Sequence, residues 1–342
     1  MLNNPTKLLF MMTLMSGTLI SVSANSWFGA WIGLEINLLS FIPMMSNSSN
    51  LMTTESSLKY FLTQALASAT LLFTVILSAM MFGSSSSMWM TNPIMITLIN
   101  SSLLLKMGAA PLHFWFPGVM EGLDWMNGLM LMTWQKIAPL MLISYNLKMD
   151  LFIMFVIISS IFIGSIGGLN QTSIRKILAY SSINHLGWLI SALLMGESLL
   201  SLYFLIYTFL TTSIVIMLNS FQLTHVNQMF SMNFTPPVIK FSLFVTFLSL
   251  GGLPPFIGFL PLWIIKSMTS AGFHFLTTTM VVMTLVTLYY YLRTSFSAFL
   301  LTYSETLWQT NFSLSKNYPL ILTLAMLSTT GLIFTSLLTS IL

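Results

Sequence analysis

Residues 103–123 read LLLKMGAAPLHFWFPGVMEGL, and this stretch decides the fold. The apolar run predicts a membrane helix, but Gly108, Pro111 and Pro117 interrupt its hydrogen-bond ladder. Residues 247–263, FLSLGGLPPFIGFLPLW, repeat the pattern in the second half of the chain. Irregular backbone at membrane depth is tolerated only against protein or a water-filled cavity. Two such helices in two halves of a chain therefore indicate a transporter-like site between helices.

Composition places the whole chain in a membrane. Of its 342 residues, 56% are hydrophobic and 5% are charged, whereas a soluble globular protein has about 25% charged residues. So little charge cannot cover a water-facing surface, while lipid imposes no penalty on apolar surface. The sequence contains no cysteine, which excludes a disulfide framework, a thiolate metal site and a thiol nucleophile.

Apolar segments long enough to cross the bilayer recur along the chain. A membrane helix needs about 20 mostly apolar residues, and this length predicts about eleven spans. The predicted spans are 7–24, 26–45, 57–82, 91–117, 126–145, 150–169, 175–195, 198–221, 238–274, 276–303 and 318–341. The predicted fold is therefore an all-α integral membrane protein with about eleven transmembrane helices, two of which, 91–117 and 238–274, are discontinuous.

Basic residues lie mainly on one side of the predicted membrane. The side that holds the N-terminus collects Lys7, Lys59, Arg175, Lys176, Lys240 and Lys316. The opposite side has only Lys148. Because inner loops carry an excess of lysine and arginine, the N-terminus is predicted on the inner side, and an odd number of spans places the C-terminus across the membrane.

Four ionisable residues lie inside apolar stretches. Glu35 is central in the second predicted span, and Lys136 is central in the fifth span. Lys106 ends the apolar run before the break in the fourth span, and Lys266 lies in the ninth span. A charge at the bilayer centre costs about 2.5–3.5 kcal/mol, so four would cost about 10 kcal/mol without compensation. We expect them to face each other or water inside the bundle. Burial favours the neutral form of a lysine, so such residues can change protonation near neutral pH, as a proton relay requires.

Two structural explanations of these four residues compete with a proton relay. A buried Lys–Glu pair could fix the packing of helices, or a lysine could extend its ammonium to the membrane surface, most plausibly Lys266. One acid and three lysines at similar depth on different helices favour the relay.

The two interrupted helices are five spans apart along the chain. Because five is odd, two five-helix units with this spacing have inverted topology. The spacing predicts one membrane domain, 1–342, with a first repeat over 7–145, a second over 150–303 and a final helix over 318–341. Lys136 then corresponds to Arg293. Gly/Pro kinks without internal symmetry are the alternative.

Several long motifs, in order, resemble a known family. They are WFGAWIGLEINLLSFIP (27–43), LLLKMGAAPLHFWFPGVMEGL (103–123), WMNGLMLMTWQKIAPL (125–140), GGLNQTSIRKILAYSSINHLGW (167–188) and LSLGGLPPFIGFLPLW (248–263). The chain resembles the chain 2 family of NADH-ubiquinone oxidoreductase, the antiporter-like membrane subunits of respiratory complex I, over essentially its whole length.

The resemblance implies a proton-translocating module and assigns residues to it. Glu35 matches the membrane glutamate of the family, Lys106 the lysine of its first broken helix, and Lys136 the central lysine of the W-Q-K-I-A-P motif. His113, in PLHFW, and His185, in SSINHLGW, fall at motif positions that line the polar axis. These residues are the expected proton relay.

One position departs from the pattern of the family. Its second broken helix usually reads FLPKW, but Leu262 stands in place of the lysine here. The nearby cation is Lys266, four residues later, which on a helix lies on nearly the same face and about 6 Å further along the axis. We expect Lys266 to substitute for the missing lysine.

The resemblance also implies partners and location. Expected partners are other complex I membrane subunits, including neighbouring antiporter-like and small membrane subunits, and membrane lipids, with no nucleic acid. The chain has no P-loop or dinucleotide fingerprint, and its four histidines are scattered, so NADH, FMN, iron–sulfur clusters and ubiquinone are expected in partner subunits and no cofactor or metal in this chain. The expected location is the mitochondrial inner membrane, with the N-terminus in the matrix and the C-terminus on the intermembrane-space side.

Two other functions share most of these features. A stand-alone cation/proton antiporter would have the same broken helices and lysines, and it would exchange ions when purified alone in liposomes. A structural spacer would hold neighbouring subunits without moving protons. Neutralising Lys136 separates the spacer from the proton conductor.

Overall fold

The structure is a computed structural model of the chain. It describes residues 5–47, 50–82, 92–230, 237–254, 256–259, 262–300 and 323–329. Within these ranges the regular secondary structure is helical, apart from an isolated bridge between Ser173 and His225. The prediction of an all-α protein is therefore confirmed.

The chain divides into two compact units, Met1–Val156 and Ile157–Leu342. The helices of the first unit are α1 (Pro5–Ser23), α2 (Trp27–Met45), α3 (Leu51–Phe82), α4 (Pro93–Met107), α5 (Trp115–Gly122), α6 (Trp125–Met132) and α7 (Trp134–Asn146). The boundary lies within α8 (Leu151–Gly167). The inverted relation between residues 7–145 and 150–303 stays a prediction.

The second unit continues with helices of similar kind. They are α9 (Ile174–Met195), α10 (Glu197–Phe221), the short α11 (Val226–Phe230), α12 (Pro237–Leu250), the 3-10 helix Ile257–Phe259, α13 (Leu262–Ser270) and α14 (His274–Leu300). Residues 323–329 are also helical. Most of the predicted final span, 318–341, lies outside the described residues, so the count of eleven spans stays a prediction.

Six helices in the described part of the chain are long and apolar enough to cross a membrane, judged by length and composition. They are Pro5–Ser23, Trp27–Met45, Leu51–Met81, Ile174–Met195, Glu197–Phe221 and His274–Phe296. The shorter apolar helices Pro93–Met107, Leu151–Gly167 and Lys240–Leu250 include the first arms of both interrupted spans.

Local sequence explains how α4 begins and ends. Pro93 occupies its first turn, where no backbone N–H partner is needed. Gly108 ends it in the left-handed conformation, with φ at 75°, which glycine adopts without the steric penalty of a Cβ atom. The chain then runs without helix to Trp115, where α5 begins.

One interruption was not predicted from the sequence. The fifth span, predicted as continuous over 126–145, is divided at Thr133 into α6 and α7. The Thr133 hydroxyl donates to the carbonyl of Leu129 at 2.7 Å, and such bonds bend helices. Residues 126–145 together are apolar enough to predict one continuous span, so hydropathy gave no sign of the break.

A close backbone approach fixes α2 against α1. A Cβ atom on Gly33 would lie 2.5 Å from the backbone nitrogen of Ser21 and 2.8 Å from the carbonyl oxygen of Gly17. Small residues at such crossings allow membrane helices to pack backbone to backbone. Glu35 follows Gly33 by two residues, so this crossing also fixes where the acid lies.

We predict that Gly33→Ala separates α1 from α2 and reduces the amount of folded chain in the membrane. The matched control is Gly118→Ala in α5, because a Cβ atom there meets nothing within 4 Å and alanine favours a helix by about 0.5–1 kcal/mol. Limited proteolysis of membranes that carry each variant measures the folded amount. Equal protease resistance of both variants would contradict the close approach.

Candidate functional site

Lys106 lies in the last turn of α4, directly before the break. Lys106 is 8% exposed, so its ammonium group is surrounded by protein. The carbonyl end of a helix carries partial negative charge, which attracts a cation in the last turn. The break thus places a buried cation at a helix end rather than in the middle of a continuous helix.

Two side chains donate to the last carbonyls of α4, and the backbone N–H of Gly108 also donates to the carbonyl oxygen of Leu105 at 3.2 Å. The amide of Gln64, on α3, donates to the carbonyl oxygen of Lys106 at 3.1 Å. The indole N–H of Trp115, on α5, donates to the carbonyl oxygen of Leu105 at 3.1 Å. Because the last carbonyls of a helix have no partner within it, these bonds hold the break in place.

Lys136 lies in the first turn of α7, immediately after the interruption at Thr133. The residue is 1% exposed, among the largest fully buried side chains of the described residues. Its Nζ lies 5.6 Å from the centroid of the Phe116 ring, within the range of a cation–π interaction. Phe116 belongs to α5, so the arm after the first break contacts the second lysine.

Glu35 lies on α2 and is half-buried. Its Oε2 atom is buried and has no hydrogen-bond partner among the described residues. The acid and the first lysine, predicted from separate apolar stretches, belong to the same unit.

A cavity of about 20 Å³ lies within the first unit. Lys106 and Lys136 both line it, together with three amide side chains, Asn37, Gln64 and Gln135. Residues from α2, α3, α4, α5, α6 and α7 contribute to its wall. The two lysines that the sequence predicted as relay residues thus share one small cavity beside the broken helix.

His113 lies between α4 and α5 and is 4% exposed. Its Nδ1 is 3.2 Å from the carbonyl oxygen of Pro111, and its ring centroid is 4.4 Å from that of Phe114. It does not line the cavity of about 20 Å³. The structure places it in the break itself, and its part in a relay stays a prediction.

His185 lines a larger cavity in the second unit, of about 200 Å³. Its Nδ1 is 2.7 Å from the hydroxyl oxygen of Tyr203 on α10, and its ring centroid is 5.1 Å from that of Tyr207. The rest of the wall comes from α9, the end of α12, the segment after it, α13 and α14. The histidine is therefore held in a polar pair beside the second broken helix.

Lys266 does not line this second cavity. Its side chain is exposed on α13, and the neighbouring Ile265 lines the cavity instead. Successive residues of a helix point about 100° apart, so the two side chains leave α13 in different directions. The side chain of Leu262 lies outside the described residues.

Sequence reasoning missed the amides around the lysines. Gln64 is a lone amide in the apolar run FLTQALAS, Asn37 follows Glu35 by two residues, and Gln135 precedes Lys136. Each is a polar residue inside a membrane span, and that signal could have identified all three. Within the described ranges no group of three or more His, Asp and Glu residues could hold a metal ion.

Comparison with known proteins decides the family. The family model described as NADH:quinone oxidoreductase/Mrp antiporter, TM, matches residues 24–287. NADH-ubiquinone oxidoreductase chain 2 of Anopheles gambiae is 53% identical over 333 residues, covering 96% of each chain. The protein of the same name from Aedes aegypti is 55% identical over 332 residues, again covering 96% of each. The chain belongs to the NADH-ubiquinone oxidoreductase chain 2 family.

A solved structure has the same fold as this chain. A chain of respiratory complex I from Thermus thermophilus with bound aureothin superposes with a TM-score of 0.84 at 24% identity. The match covers 95% of this chain and 77% of that one. The antiporter-like membrane fold expected for the chain 2 family is therefore confirmed.

We predict that Trp115→Phe destabilises the break, because the Leu105 carbonyl loses the indole donor and keeps only the bond from the backbone N–H of Gly108, and one hydrogen bond contributes about 0.5–1.5 kcal/mol. Trp134→Phe is the matched control, since the Trp134 indole N–H has no hydrogen-bond partner among the described residues. The thermal midpoint of the purified complex and the amide exchange of residues 104–109 measure the effect. If the two variants behave alike, the indole of Trp115 does not support the break.

Proposed function

We propose that this chain is a proton-translocating, antiporter-like subunit of respiratory complex I, the H⁺-translocating NADH:ubiquinone reductase. One observation carries the proposal: two buried lysines line the same cavity beside a broken helix, and the helix that carries Glu35 contributes Asn37 to its wall. Membership in the chain 2 family supports the assignment to the complex.

The energetics favour a functional role for these lysines. A charged side chain near the bilayer centre costs about 2.5–3.5 kcal/mol even on insertion scales. A chain that needed only stability would do better with an apolar residue of similar volume at Lys106 or Lys136. Ionisable residues within membrane segments are therefore associated with ion and proton pathways.

The proposed route runs from Glu35 to Lys106 and then to Lys136. Because neighbouring charges interact, these groups titrate as a coupled set rather than singly. Protonating Glu35 removes the negative charge that attracts Lys106 and favours release of the Lys106 proton toward Lys136. A conformational or electrostatic change at the Glu35 end therefore changes which residues along the proposed route carry a proton.

His113, His185 and Lys266 extend this route in the proposal. His185 is supported by its contact with Tyr203 and its place in the second cavity, and His113 by its burial in the first break. Lys266 is the one cation on α13, and its flexible side chain is the proposed substitute for the lysine that Leu262 replaces.

The energy for pumping comes from electron transfer between NADH and ubiquinone in partner subunits, which hold the FMN and iron–sulfur clusters. We place the chain in the mitochondrial inner membrane with its N-terminus in the matrix. The six basic residues on the N-terminal side and the single one on the other support this orientation.

We predict that Lys136→Met lowers the number of protons pumped per NADH oxidised several-fold, because methionine fills the same space but carries no proton. Lys148→Met is the control, since Lys148 is exposed between α7 and α8. Proton uptake and NADH oxidation are measured together in inverted inner-membrane vesicles. Unchanged pumping in Lys136→Met would identify a structural spacer, and cation exchange by the purified chain alone in liposomes would identify a stand-alone antiporter.

We predict that Lys266→Met also lowers the ratio of protons pumped to NADH oxidised, because α13, the arm after the second break, then has no cation. Adding Leu262→Lys to Lys266→Met restores the lysine at the family position and should recover pumping. The same vesicle assay compares the parent, the single and the double variant. Parental pumping by Lys266→Met would remove Lys266 from the relay and leave the rest of the route intact.

A further inference from the structure

The second break, at the end of α12, leaves two carbonyl groups that no described residue satisfies. In a continuing helix the carbonyl oxygen of Leu250 would accept from the backbone N–H of residue 254, and that of Gly251 from residue 255. Both positions are proline, which has no backbone N–H. Among the described residues no other backbone N–H donates to either oxygen. At the first break, in contrast, side chains of two neighbouring helices donate to the last carbonyls.

Leu250 and Gly251 both line the second cavity, where the hydroxyl groups of the wall already have partners. The hydroxyl of Tyr203 is paired with the imidazole of His185 at 2.7 Å. The hydroxyls of Thr284 and Thr287 donate to carbonyl oxygens of α14 itself, at 2.8 and 2.7 Å. A buried acceptor without a donor destabilises a structure. A ligand that brings a donor into the cavity would therefore stabilise the second break.

Asn184, on α9, adds a third acceptor to the same wall. It is 3% exposed, and its Oδ1 has no hydrogen-bond partner within the described ranges. No acidic side chain of the described residues lines the cavity. An ammonium group would enter the membrane there without an opposite charge, which is costly. The wall therefore favours a neutral donor, and a hydroxyl group is the simplest one.

The rest of the wall is mainly apolar. Its apolar side chains come from α9, the segment after α12, α13 and α14: Trp188, Phe259, Ile265, Leu285 and Leu288. An apolar cavity of about 150 Å³ binds benzene, and this cavity measures about 200 Å³. It therefore has room for one ring with one or two small substituents. Larger ligands occupy about 300–1,000 Å³, so a whole phospholipid does not fit.

The cavity reaches an exposed face of α14. Val281 is 37% exposed and Leu285 is 61% exposed, and both line the cavity. They are four residues apart and therefore share one face of the helix. Because α14 begins at His274, they lie about 10 and 16 Å along its axis, within a hydrocarbon layer about 30 Å thick. A molecule dissolved in the membrane can enter the cavity there.

We propose that the second cavity is a binding site for a small membrane-dissolved hydrocarbon that carries one hydroxyl group, such as a simple phenol. The O–H group of the ligand donates to the acceptors at the end of α12, and its hydrocarbon body packs between α13 and α14. Binding stabilises the second break in the way that side chains stabilise the first. It moves no proton, so the site does not depend on the proposed proton route.

Two probes of the same shape test the role of the hydroxyl group. 4-Methylphenol and 1,4-dimethylbenzene differ by one hydroxyl in place of one methyl group. Each is titrated into the intact complex in lipid nanodiscs, and hydrogen–deuterium exchange of residues 248–259 and 281–288 reports binding. We expect 4-methylphenol to slow exchange at a membrane concentration about three- to tenfold lower than that of 1,4-dimethylbenzene, the factor that one hydrogen bond supplies.

Two neighbouring valines separate the cavity from the surrounding lipid. Val281→Trp places a large side chain at the mouth of the cavity. Val282→Trp is the matched control, because Val282 is 55% exposed and does not line the cavity. We expect Val281→Trp to abolish the protection by 4-methylphenol and Val282→Trp to retain it. Leu285→Trp is a second variant with the same expected result as Val281→Trp, and it decides the question if Val281→Trp does not assemble.

Three results would overturn the site. The first is an absence of protection by 4-methylphenol in the parent. The second is protection by both probes at the same membrane concentration, which would show that water satisfies the carbonyl groups. The third is protection that persists when residue 281 or residue 285 is tryptophan. None of these readouts depends on pumping, so a failure of the proposed function, seen as normal pumping by Lys136→Met, is distinguishable from a failure of the binding site.

Discussion

The structure of the first unit depends on satisfying the carbonyl groups at the break in α4. A lipid environment supplies no water to these groups, so protein must supply every donor. Gln64 and Trp115 do this for Lys106 and Leu105 from two neighbouring helices. The same side chains line the cavity, so the groups that stabilise the break also bring polarity to the place where the lysines lie.

Each unit has a cavity beside its broken helix, with different chemistry. Besides the broken helix, α2, α3 and α6–α7 line the cavity of the first unit, and α9, α10 and α14 line that of the second. The cavity of the first unit is small and lined by two lysines, whereas that of the second is larger and holds His185 paired with Tyr203. An imidazole–phenol pair needs less compensation in a membrane than an ammonium group, because both can be neutral.

Much of the fold followed from hydropathy, because a membrane helix must bury its backbone and needs a fixed length of apolar sequence. The first residues of α2 and α9 lie within one residue of the predicted starts of these spans, 26 and 175. The break at Thr133 did not follow, since a local change of the backbone within one apolar span leaves no mark in hydropathy. The amides around the lysines were likewise missed, because only packing shows which polar residues share a cavity.

The sequence alone determined the membrane class, the interrupted helices and the ionisable residues Glu35, Lys106 and Lys136, because charge in apolar sequence stands out by its energetic cost. Only the tertiary structure decided which of these groups meet. Lys106 and Lys136 converge because α3 and α5 pack around the break, while Lys266, equally surrounded by apolar sequence, has an exposed side chain. The spacing of residues along the sequence determines which of them share one face of a helix. The neighbouring helices determine what that face contacts.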